Sequence, residues 1–575
     1  MGQSTALSVL LLNLFSKKYP AIGESHGLSV VAGALQKSSV GKRAKISVLD
    51  MVALGEEGPE SAIRLIEEQQ INVLAIGLPY GTYGVLSQSF KKLRAALQGE
   101  KPLVVFGGAL ATYLGSRILK DVAPEAFVIR GEAEVALPGL VEAWSAGNDP
   151  RSIPNILYAD PETGQETSTP RRLVNLDNHG LPYRLHIPDI QRVGGQVFME
   201  SSRGCSWSAC TFCLRGLTDV RGKGSEYRRK NTSLLAQDVA ALLELGVSQI
   251  TFADEDFLGS SVSEAERFVS DLEACMPGGS VEFGASCTVQ SVYSRKDDEE
   301  TGERRKQLLQ RLTGIGLRRV FLGVESCSRS QLKRYAKGHT PEESVAAMRR
   351  LQELGIRVEV GVILLDPLCT LEEVQENLMF MMAHGMLQLA SGLSNELRLQ
   401  TSSSYMKMVR RYQDEKRLEL ITGDMDPDTL SFPYQFADGR VTDLCRRISY
   451  WSRKIHPIYY PAKSLTRFGK NGVLGDLEAG ARLRSGIEEF RLEYARATVE
   501  AIRVLRGGTN PDPVLRERIT PALLVLARQL QAALLSAEDS VRGHPVVTQA
   551  LTETGELLDS YKENMMNMRS VHHEH

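Results

Sequence analysis

Three cysteines lie within nine residues of the chain, and they constrain it more than any other feature. Cys205, Cys210 and Cys213 belong to the stretch Cys-Ser-Trp-Ser-Ala-Cys-Thr-Phe-Cys, and the next cysteine along the chain is Cys275. Four-iron clusters normally take four cysteine ligands. Three close cysteines without a fourth therefore predict a 4Fe–4S cluster in which one iron is left open to bind another molecule.

Zinc, a disulfide and ordinary core packing are the alternative interpretations of these cysteines. Structural zinc sites draw on a second pair of Cys or His at short spacing, and none follows Cys213. Eight cysteines, three of them in the motif, indicate a reducing compartment. We therefore expect a cytoplasmic protein without disulfides. The apolar stretch Gln196–Glu200 predicts a strand directly before the motif, which places the cysteines on a loop.

Length and charge exclude several classes of protein. At 575 residues the chain is long enough for two to four domains, and 42% hydrophobic residues are enough for packed cores. The net charge of −2 gives no general attraction to nucleic acid or to a membrane, so we expect neither partner. The apolar run Leu7–Phe15 is too short to cross a bilayer and predicts a buried strand.

Residues 1–150 alternate short apolar runs with amphipathic stretches such as Ser87–Gln98, which predicts a doubly wound parallel sheet. The predicted strands are Leu7–Leu14, Ile46–Asp50, Val73–Gly77, Leu103–Phe106 and Phe127–Ile129. Ligands of such sheets bind at the carboxyl ends of the strands, where glycines allow close approach to the backbone. The candidate residues there are Asn13, Leu78, Tyr80, Gly107, Gly108, Gly131 and Glu132. Ordinary turn glycines are the alternative.

From residue 196 to 400 the alternation of strands and helices resumes, which predicts a full or partial barrel with its site at the strands' carboxyl ends. The predicted strands are Ile250–Ala253, Val281–Ala285, Arg319–Gly323, Val358–Ile363 and Gln388–Leu393. Acidic or hydroxyl side chains follow two of them: Asp254, Glu255 and Asp256, then Glu325 and Ser326. Such groups bind a ligand or cap the following helix, and both interpretations stay open.

The remaining segments carry less specific signals. Residues 151–195 are rich in Pro, Thr and Asn and predict a linker, and the charge run 295–306 predicts a solvated insertion. Beyond residue 400, Ala481–Leu505 and Ile519–Ser536 predict long amphipathic helices. The aromatic pairs Tyr450-Trp451 and Tyr459-Tyr460 indicate either a packing face, which we favour, or a substrate pocket.

The cysteine stretch, with Ser202-Arg203-Gly204 before it and Phe212 before its last cysteine, resembles the motif of the radical S-adenosylmethionine (SAM) superfamily. The usual spacing there is Cys-x3-Cys-x2-Cys, and the first gap of this chain is one residue longer. The resemblance implies that the cysteines hold the cluster and that SAM takes the open iron. It further implies contacts to SAM from Asp254, Glu255, Glu325 and Ser326.

The stretches Val104–Gly108 and Arg130–Glu134 resemble the cobalamin-binding domain that precedes many radical SAM domains. The Asp-x-His-x-x-Gly motif is absent, and His26 in Glu-Ser-His-Gly does not fit it. The resemblance therefore implies cobalamin with its own base displaced and no protein histidine on cobalt. The loop Leu78–Tyr83, with Tyr80, would face the lower side of the corrin.

These resemblances, which cover roughly the first 400 residues, and the helical patterns after them together indicate an α/β protein of three parts. They are a doubly wound, Rossmann-like cobalamin-binding domain (1–150), a (β/α) partial barrel of radical SAM type (196–400) after a linker (151–195), and a mainly α-helical domain (401–575). The implied cofactors are a 4Fe–4S cluster, SAM and cobalamin, with flavodoxin or ferredoxin as electron donor.

The implied activity is methylation of a carbon centre in a small-molecule or peptide natural product. Rearrangement or cyclisation with the same cofactors is one alternative. Radical-free methylation of an aromatic carbon, as in the tryptophan 2-C-methyltransferases, is another. A cobalamin-binding sensor is the alternative of a different class, and the three cysteines argue against it because a sensor needs no cluster with an open iron.

Overall fold

The computed structural model of the chain describes residues 7–19, 23–98, 101–160, 163–214, 227–276, 278, 281–393, 396–466 and 478–535, together with 552, 554–556 and 558–560. Every structural statement below concerns these residues.

The first domain is built on a seven-stranded sheet in the order β2-β1-β3-β4-β5-β6-β7. The strands are β1 (Ser8–Asn13), β2 (Lys45–Asp50), β3 (Val73–Gly77), β4 (Leu103–Gly107), β5 (Phe127–Ile129), β6 (Ile156–Ala159) and β7 (Glu166–Ser168). The helices are α1 (His26–Lys37), α2 (Glu60–Glu68), α3 (Tyr83–Ala96), α4 (Gly108–Asp121) and α5 (Ala136–Ala146). Strands β1 to β5 run parallel, so the predicted doubly wound sheet is confirmed.

Burial on both faces explains why these strands are continuous apolar runs. Leu10 and Leu12 of β1 pack into one hydrophobic core, and Val9 and Leu11 pack into another on the opposite face of the sheet. Parallel sheets covered by helices on both faces need apolar side chains at every position. The strands' carboxyl ends, including Asn13 and Gly107, consequently meet at one edge of the sheet.

The sheet continues into the segment predicted as a linker. Strand β6 pairs antiparallel with β5, with Leu157 opposite Val128, and β7 pairs antiparallel with β6. The rings of Phe127 and Tyr158 lie 5.4 Å apart across this pair, and their contact stabilises it. Residues 151–195 also contain the helix α6 (Ile187–Arg192). Short strands at a sheet edge carry too few apolar residues to stand out in a polar segment.

The second domain contains a five-stranded parallel sheet in the order β14-β13-β12-β11-β8, the expected partial barrel. The strands are β8 (Phe198–Met199), β11 (Gln249–Phe252), β12 (Glu282–Thr288), β13 (Leu317–Glu325) and β14 (Arg357–Val362). Two short antiparallel pairs accompany it, β9 (Ser202–Arg203) with β10 (Arg228–Arg229) and β15 (Leu399–Gln400) with β16 (Ser431–Phe432). The helices are α7 (Thr232–Glu244), α8 (Val262–Cys275), α9 (Val289–Val292), α10 (Glu299–Gly314), α11 (Arg329–Arg334), α12 (Pro341–Glu353) and α13 (Leu371–Ala383).

Two predictions for this domain are wrong. The predicted strand Gln388–Leu393 contains a short 3₁₀ turn and a single bridge from Ala390 to Val360, because Arg491 and Lys463 bind its carbonyl groups instead. The charge run 295–306 is largely exposed, as predicted, but it is not an insertion. It opens α10, and Arg305 is buried there in an ion pair with Asp297 at 2.5 Å.

The last part of the described chain is mainly helical, as predicted. Its helices are α14 (Ser404–Lys416), α15 (Gly439–Thr466), α16 (Glu478–Arg506) and α17 (Asp512–Leu535). Tyr459 is fully buried and accepts a hydrogen bond from Arg491 at 2.7 Å, and Trp451 is also buried, so these two rings pack, whereas Tyr450 and Tyr460 are exposed. Over the described residues, none of the helices combines the length and hydropathy that crossing a bilayer requires.

Candidate functional site

The cysteine loop leaves the barrel at the carboxyl end of its first strand, and other elements hold it firmly. The indole N–H of Trp207 donates to the carbonyl of Ala336 at 2.8 Å, and the Thr211 hydroxyl donates to the carbonyl of Arg334 at 2.9 Å. A Cβ at Gly338 would lie 2.2 Å from the Trp207 ring, so only glycine fits beneath it. The loop is therefore positioned by residues more than 120 positions further along the chain.

Lys337 provides a buried positive charge beside the cysteines. Its Nζ lies 3.7 Å from Glu325 Oε1, and its side chain is only 6% exposed. Burial alone would lower the pKa of Lys337, but the charges of Glu325 and of the thiolates of Cys210, Cys205 and Cys213 raise it. Lys337 therefore stays protonated next to the cysteines. It is not among the residues predicted as ligands from the sequence.

The three cysteines fit the ligand set of a cluster. Burial raises the pKa of Cys210 to about 11, and Cys213 and Cys205 add to the rise while Lys337 opposes it. Thiolates so close together need positive charge, which Lys337 supplies in part and iron would complete. Within the described chain, no three His, Cys, Asp or Glu side chains converge on one metal ion. A four-iron cluster does not require such convergence, because each of its irons takes a separate thiolate.

The acidic residues after β11 contact the cysteine loop and the residues just before it. Asp254 is fully buried and accepts hydrogen bonds from Ser201, at 3.1 Å from the amide and 2.6 Å from the hydroxyl. Burial raises the pKa of Asp254 to about 6. Glu255 accepts from the Gly204 amide at 3.0 Å, and Asp256 accepts from the Ser206 hydroxyl at 2.6 Å. The predicted contact of Asp254 and Glu255 with SAM stays a prediction, and their observed contacts position the loop.

Glu325 and Ser326 occupy different environments at the end of β13. Glu325 is half-buried at a φ of +69°, where backbone strain marks a constrained position, and burial raises its pKa. Ser326 is fully buried, and its hydroxyl oxygen lies 2.6 Å from Gln331 Oε1 and 2.9 Å from Asn377 Oδ1, to either of which it can donate its one proton. Of the two residues, Glu325 is therefore the one whose side chain adjoins the cysteines, through Lys337.

The carboxyl end of the first sheet presents open backbone. A Cβ at Gly107 would have no atom within 4 Å. Gly108 follows at a φ of +89°, and a Cβ there would lie 3.1 Å from the amide nitrogen of Leu78. Asn13 ends β1 and donates to the Leu14 carbonyl at 3.2 Å. An open, glycine-lined strand end fits a large planar cofactor such as a corrin, which must approach the backbone closely.

The other predicted residues of this edge have protein partners. Leu78 is fully buried, and Tyr80 accepts a hydrogen bond from the Gln400 amide at 3.2 Å. Gly131 donates its amide to the Thr112 hydroxyl at 2.9 Å. Glu132 accepts from Arg228 at 2.5 Å, so its carboxylate is occupied by protein contacts.

The cysteine loop lies against this edge of the first sheet. Arg203, just before the loop, forms ion pairs with Glu132 at 3.3 Å, Glu134 at 2.5 Å and Glu200 at 2.8 Å. At the other end of the loop, the Tyr113 hydroxyl donates to the carbonyl of Leu214 at 3.4 Å. Contacts on both sides of the cysteines therefore join them to α4 and to the loop after β5 in the first domain.

A buried ionic cluster around Glu24 fixes the two domains together. Arg184 lies 2.8 Å from Glu24 and 2.8 Å from Asp238, and the amide of Phe198 donates to Glu24 at 2.9 Å. Burial would raise the pKa of Glu24, but His26 and Arg184 outweigh it and lower the pKa to about 2. The sequence shows only the loop Gly23–Gly27 and does not reveal this cluster, because the partners of Glu24 are remote in the chain.

Comparisons with known proteins agree with this geometry. Residues 199–381 match the family model "Radical SAM superfamily". The chain therefore contains a radical SAM domain over these residues. It is 25% identical over 418 residues to a 4′-phospho-dehydrooxetanocin synthase of Priestia megaterium, which covers 64% of this chain and 55% of that protein. The chain thus spans about half the length of the curated relatives it matches first.

Two solved structures share the fold over most of the chain. The cobalamin-dependent SAM radical enzyme OxsB, with aqua-cobalamin and SAM bound, is 19% identical and covers 96% of this chain and 84% of its own, at a TM-score of 0.75. The radical SAM methyltransferase TsrM from Kitasatospora setae, with cobalamin and a [4Fe-4S] cluster bound, is 17% identical and covers 73% of this chain and 77% of its own, at a TM-score of 0.56.

These findings confirm the predicted radical SAM domain and the predicted fold. The fold is that of cobalamin-dependent radical SAM enzymes, with a doubly wound first domain, a partial barrel and a helical last part. Cobalamin, SAM and a 4Fe–4S cluster, the cofactors predicted from the sequence, are the groups named in those two structures. The ligand residues named above stay predictions.

Proposed function

We propose that the chain is a cobalamin-dependent radical SAM enzyme that transfers a methyl group to a carbon centre of a small-molecule or peptide substrate. The observation that carries the proposal is the contact of the cysteine region with helix α4, which begins at the open strand end, and with the loop after β5, through Leu214 and Arg203. Two cofactor regions that adjoin each other can act on one substrate between them.

The residues around the cysteines have distinct tasks in this proposal. Cys205, Cys210 and Cys213 hold the cluster, and buried Lys337 offsets part of its negative charge. Glu325, beside Lys337, is placed to bind a polar group of SAM. When bound, the reduced cluster and SAM supply a carbon radical and cobalamin supplies a transferable methyl group. The protein orients these groups and excludes water.

We propose that cobalamin binds without a histidine ligand, because the Asp-x-His-x-x-Gly motif is absent. Among the described residues His26 Nδ1 lies 3.2 Å from Glu24 while its Nε2 has no hydrogen-bond partner, so His26 is the imidazole that the test must exclude. Tyr80, in the loop predicted below the corrin, has a phenol rather than an imidazole to offer. Electron paramagnetic resonance (EPR) of bound cob(II)alamin tests this point, and nitrogen hyperfine splitting from an axial imidazole would contradict it.

Rearrangement of the substrate is the second candidate function. OxsB covers 96% of this chain at a TM-score of 0.75, whereas two structures of TsrM, which is named a methyltransferase, cover 73% and 87% at TM-scores of 0.56 and 0.58. The curated relative of Priestia megaterium is named a synthase rather than a methyltransferase. A radical-free methylation of an aromatic carbon is the third candidate. All three use the same cofactors, so their products must separate them.

Product balance distinguishes these candidates. Reconstituted enzyme is incubated with a reductant, methyl-labelled SAM and a panel of substrates, and S-adenosylhomocysteine, 5′-deoxyadenosine and labelled product are counted. Radical methylation predicts equal amounts of the first two per methylated product. Rearrangement gives 5′-deoxyadenosine without a matching amount of S-adenosylhomocysteine. Radical-free methylation gives S-adenosylhomocysteine without a matching amount of 5′-deoxyadenosine. The variant with all three cysteines changed to Ala is the control, and it should form no deoxyadenosine.

The proposal also needs an electron donor, since cleavage of SAM consumes one electron per event. We propose flavodoxin or ferredoxin as the class of electron donor. We also propose a cytoplasmic location for the enzyme. Replacing chemical reductant with each reduced protein tests it, and failure of both to support deoxyadenosine formation would exclude this class.

A further inference from the structure

One segment of the chain contacts both cofactor regions. Residues 399–432 follow the barrel and include β15, α14 and β16. At one end of α14, the Tyr405 amide donates to the carbonyl of Thr211 in the cysteine loop at 2.7 Å. Gln400 of β15 donates to the Tyr80 hydroxyl at 3.2 Å, in the loop after β3. The segment is therefore in a position to set the loop after β3 relative to the cysteines.

Asp428 of this segment caps a helix of the first domain. Its Oδ1 accepts from the amides of Tyr83, at 2.8 Å, and Gly84, at 3.2 Å, which are the first two residues of α3. Its carbonyl accepts from the Gly81 amide at 2.7 Å. The first amides of a helix have no partner within the helix and need an external acceptor.

The helix has no cap of its own. Thr82 occupies the N-cap position but makes no capping bond, because its hydroxyl donates to the Pro79 carbonyl at 2.7 Å. A Thr at this position would ordinarily cap the helix. Asp428, which is 345 residues away in the chain, therefore fixes the position of the end of the loop Leu78–Tyr83.

Asp428 is itself fixed in place. Its amide donates to Asp426 Oδ1 at 3.0 Å. Two residues on, Leu430 is fully buried in a hydrophobic core of the first domain, and its carbonyl accepts from the Thr401 amide at 2.8 Å. The stretch that contains Asp428 and Leu430 is therefore anchored in the first domain and hydrogen-bonded to Thr401, directly after β15. It holds α3 from a rigid support.

We propose that Asp428 and Gln400 are positioning residues that fix the loop Leu78–Tyr83 beneath cobalamin and tie its position to the cysteine loop. This inference rests on the proposed function, because it takes that loop as the one facing the corrin. Asp428 sets the end of the loop through α3, and Gln400 orients the phenol of Tyr80. Neither residue needs to touch the reacting atoms.

The test uses full-length reconstituted protein carrying Asp428→Ala, Asp428→Asn or Gln400→Ala, with Asp424→Ala as control because Asp424 is exposed in the same segment. Aqua-cobalamin is titrated, and the cob(II)alamin EPR spectrum and the iron content are recorded. Loss of a helix cap predicts cobalamin binding weakened about five-fold for Asp428→Ala. Asp428→Asn keeps an oxygen acceptor and should bind like the wild type.

The spectrum separates positioning from general destabilisation. Gln400→Ala removes one bond to Tyr80 and should change the axial features of the cob(II)alamin signal with iron content unchanged. Wild-type affinity and spectra in both Asp428→Ala and Gln400→Ala would overturn the inference while leaving the proposed function intact. A wild-type protein that binds no cobalamin would instead overturn the proposed function, and the inference with it.

Discussion

The two cofactor regions of this molecule are built in different ways. The cysteine region takes its three proposed ligands from one loop of nine residues. The proposed cobalamin region is assembled from several strand ends, and one supporting helix is capped by a residue some 345 positions away in the chain. A site made from one loop shows itself in the sequence, whereas a site made from many segments depends on the interface between domains. The predictions below address this difference.

The largest effect is expected from the triple variant Cys205→Ala, Cys210→Ala, Cys213→Ala. All iron and all formation of 5′-deoxyadenosine should be lost, because no other ligand set lies on the loop. Cobalamin binding should persist, since its site draws on other residues. Iron and cobalt analysis of reconstituted protein measures both. Retention of about four irons per chain would contradict the assignment.

The next largest effect is a loss of folding stability when the domain interface is disrupted. Arg184→Met leaves Glu24 and Asp238 buried without their partner, which costs about 3–5 kcal/mol. Denaturant unfolding measures it, with the exposed Arg192→Met as control. Because the interface supports the assembled site, cobalamin should be lost at lower denaturant than iron. An unchanged midpoint would show that this ionic cluster does not hold the domains.

Acid should weaken the same interface. The pKa of Glu24 and of Glu200 is about 2, below the ordinary 4.5, because nearby cationic groups outweigh burial. Their contribution is fully present above pH 4.5 and is lost as pH falls toward 2, roughly 3 kcal/mol for each. Unfolding free energy measured between pH 6 and 3 should fall accordingly, and less steeply in Glu200→Gln. Equal slopes would refute the role of Glu200.

Much of the fold, but less of the site, follows from sequence. The five strands of residues 1–150 are found to within one residue, because burial on both faces leaves them uniformly apolar. The helix predicted at Ser87 begins at Tyr83 instead, since Asp428 supplies a cap that no local pattern reveals. Lys337 and Arg184 likewise act through partners that are distant in the chain, which only the fold brings together.

The smallest change tests the open strand end. Gly107→Ala adds one methyl group where no atom lies within 4 Å, at an extended φ of −143° that alanine adopts freely. Folding stability should hold or rise slightly. Cobalamin affinity should fall about ten-fold, since the methyl group would occupy space needed by the corrin. Gly27→Ala, with equally open surroundings in α1, is the control. Unchanged affinity would place the corrin elsewhere.

The central claim is that the cluster and cobalamin face each other across the contact between the cysteine loop and the first sheet. EPR relaxation of cob(II)alamin tests this most directly. It is measured in one preparation with the cluster reduced and paramagnetic and in another with the triple cysteine variant, which lacks the cluster. The account predicts faster relaxation and a broadened cobalt signal only when the reduced cluster is present. Identical relaxation in the two samples, each shown to hold cobalamin, would contradict it.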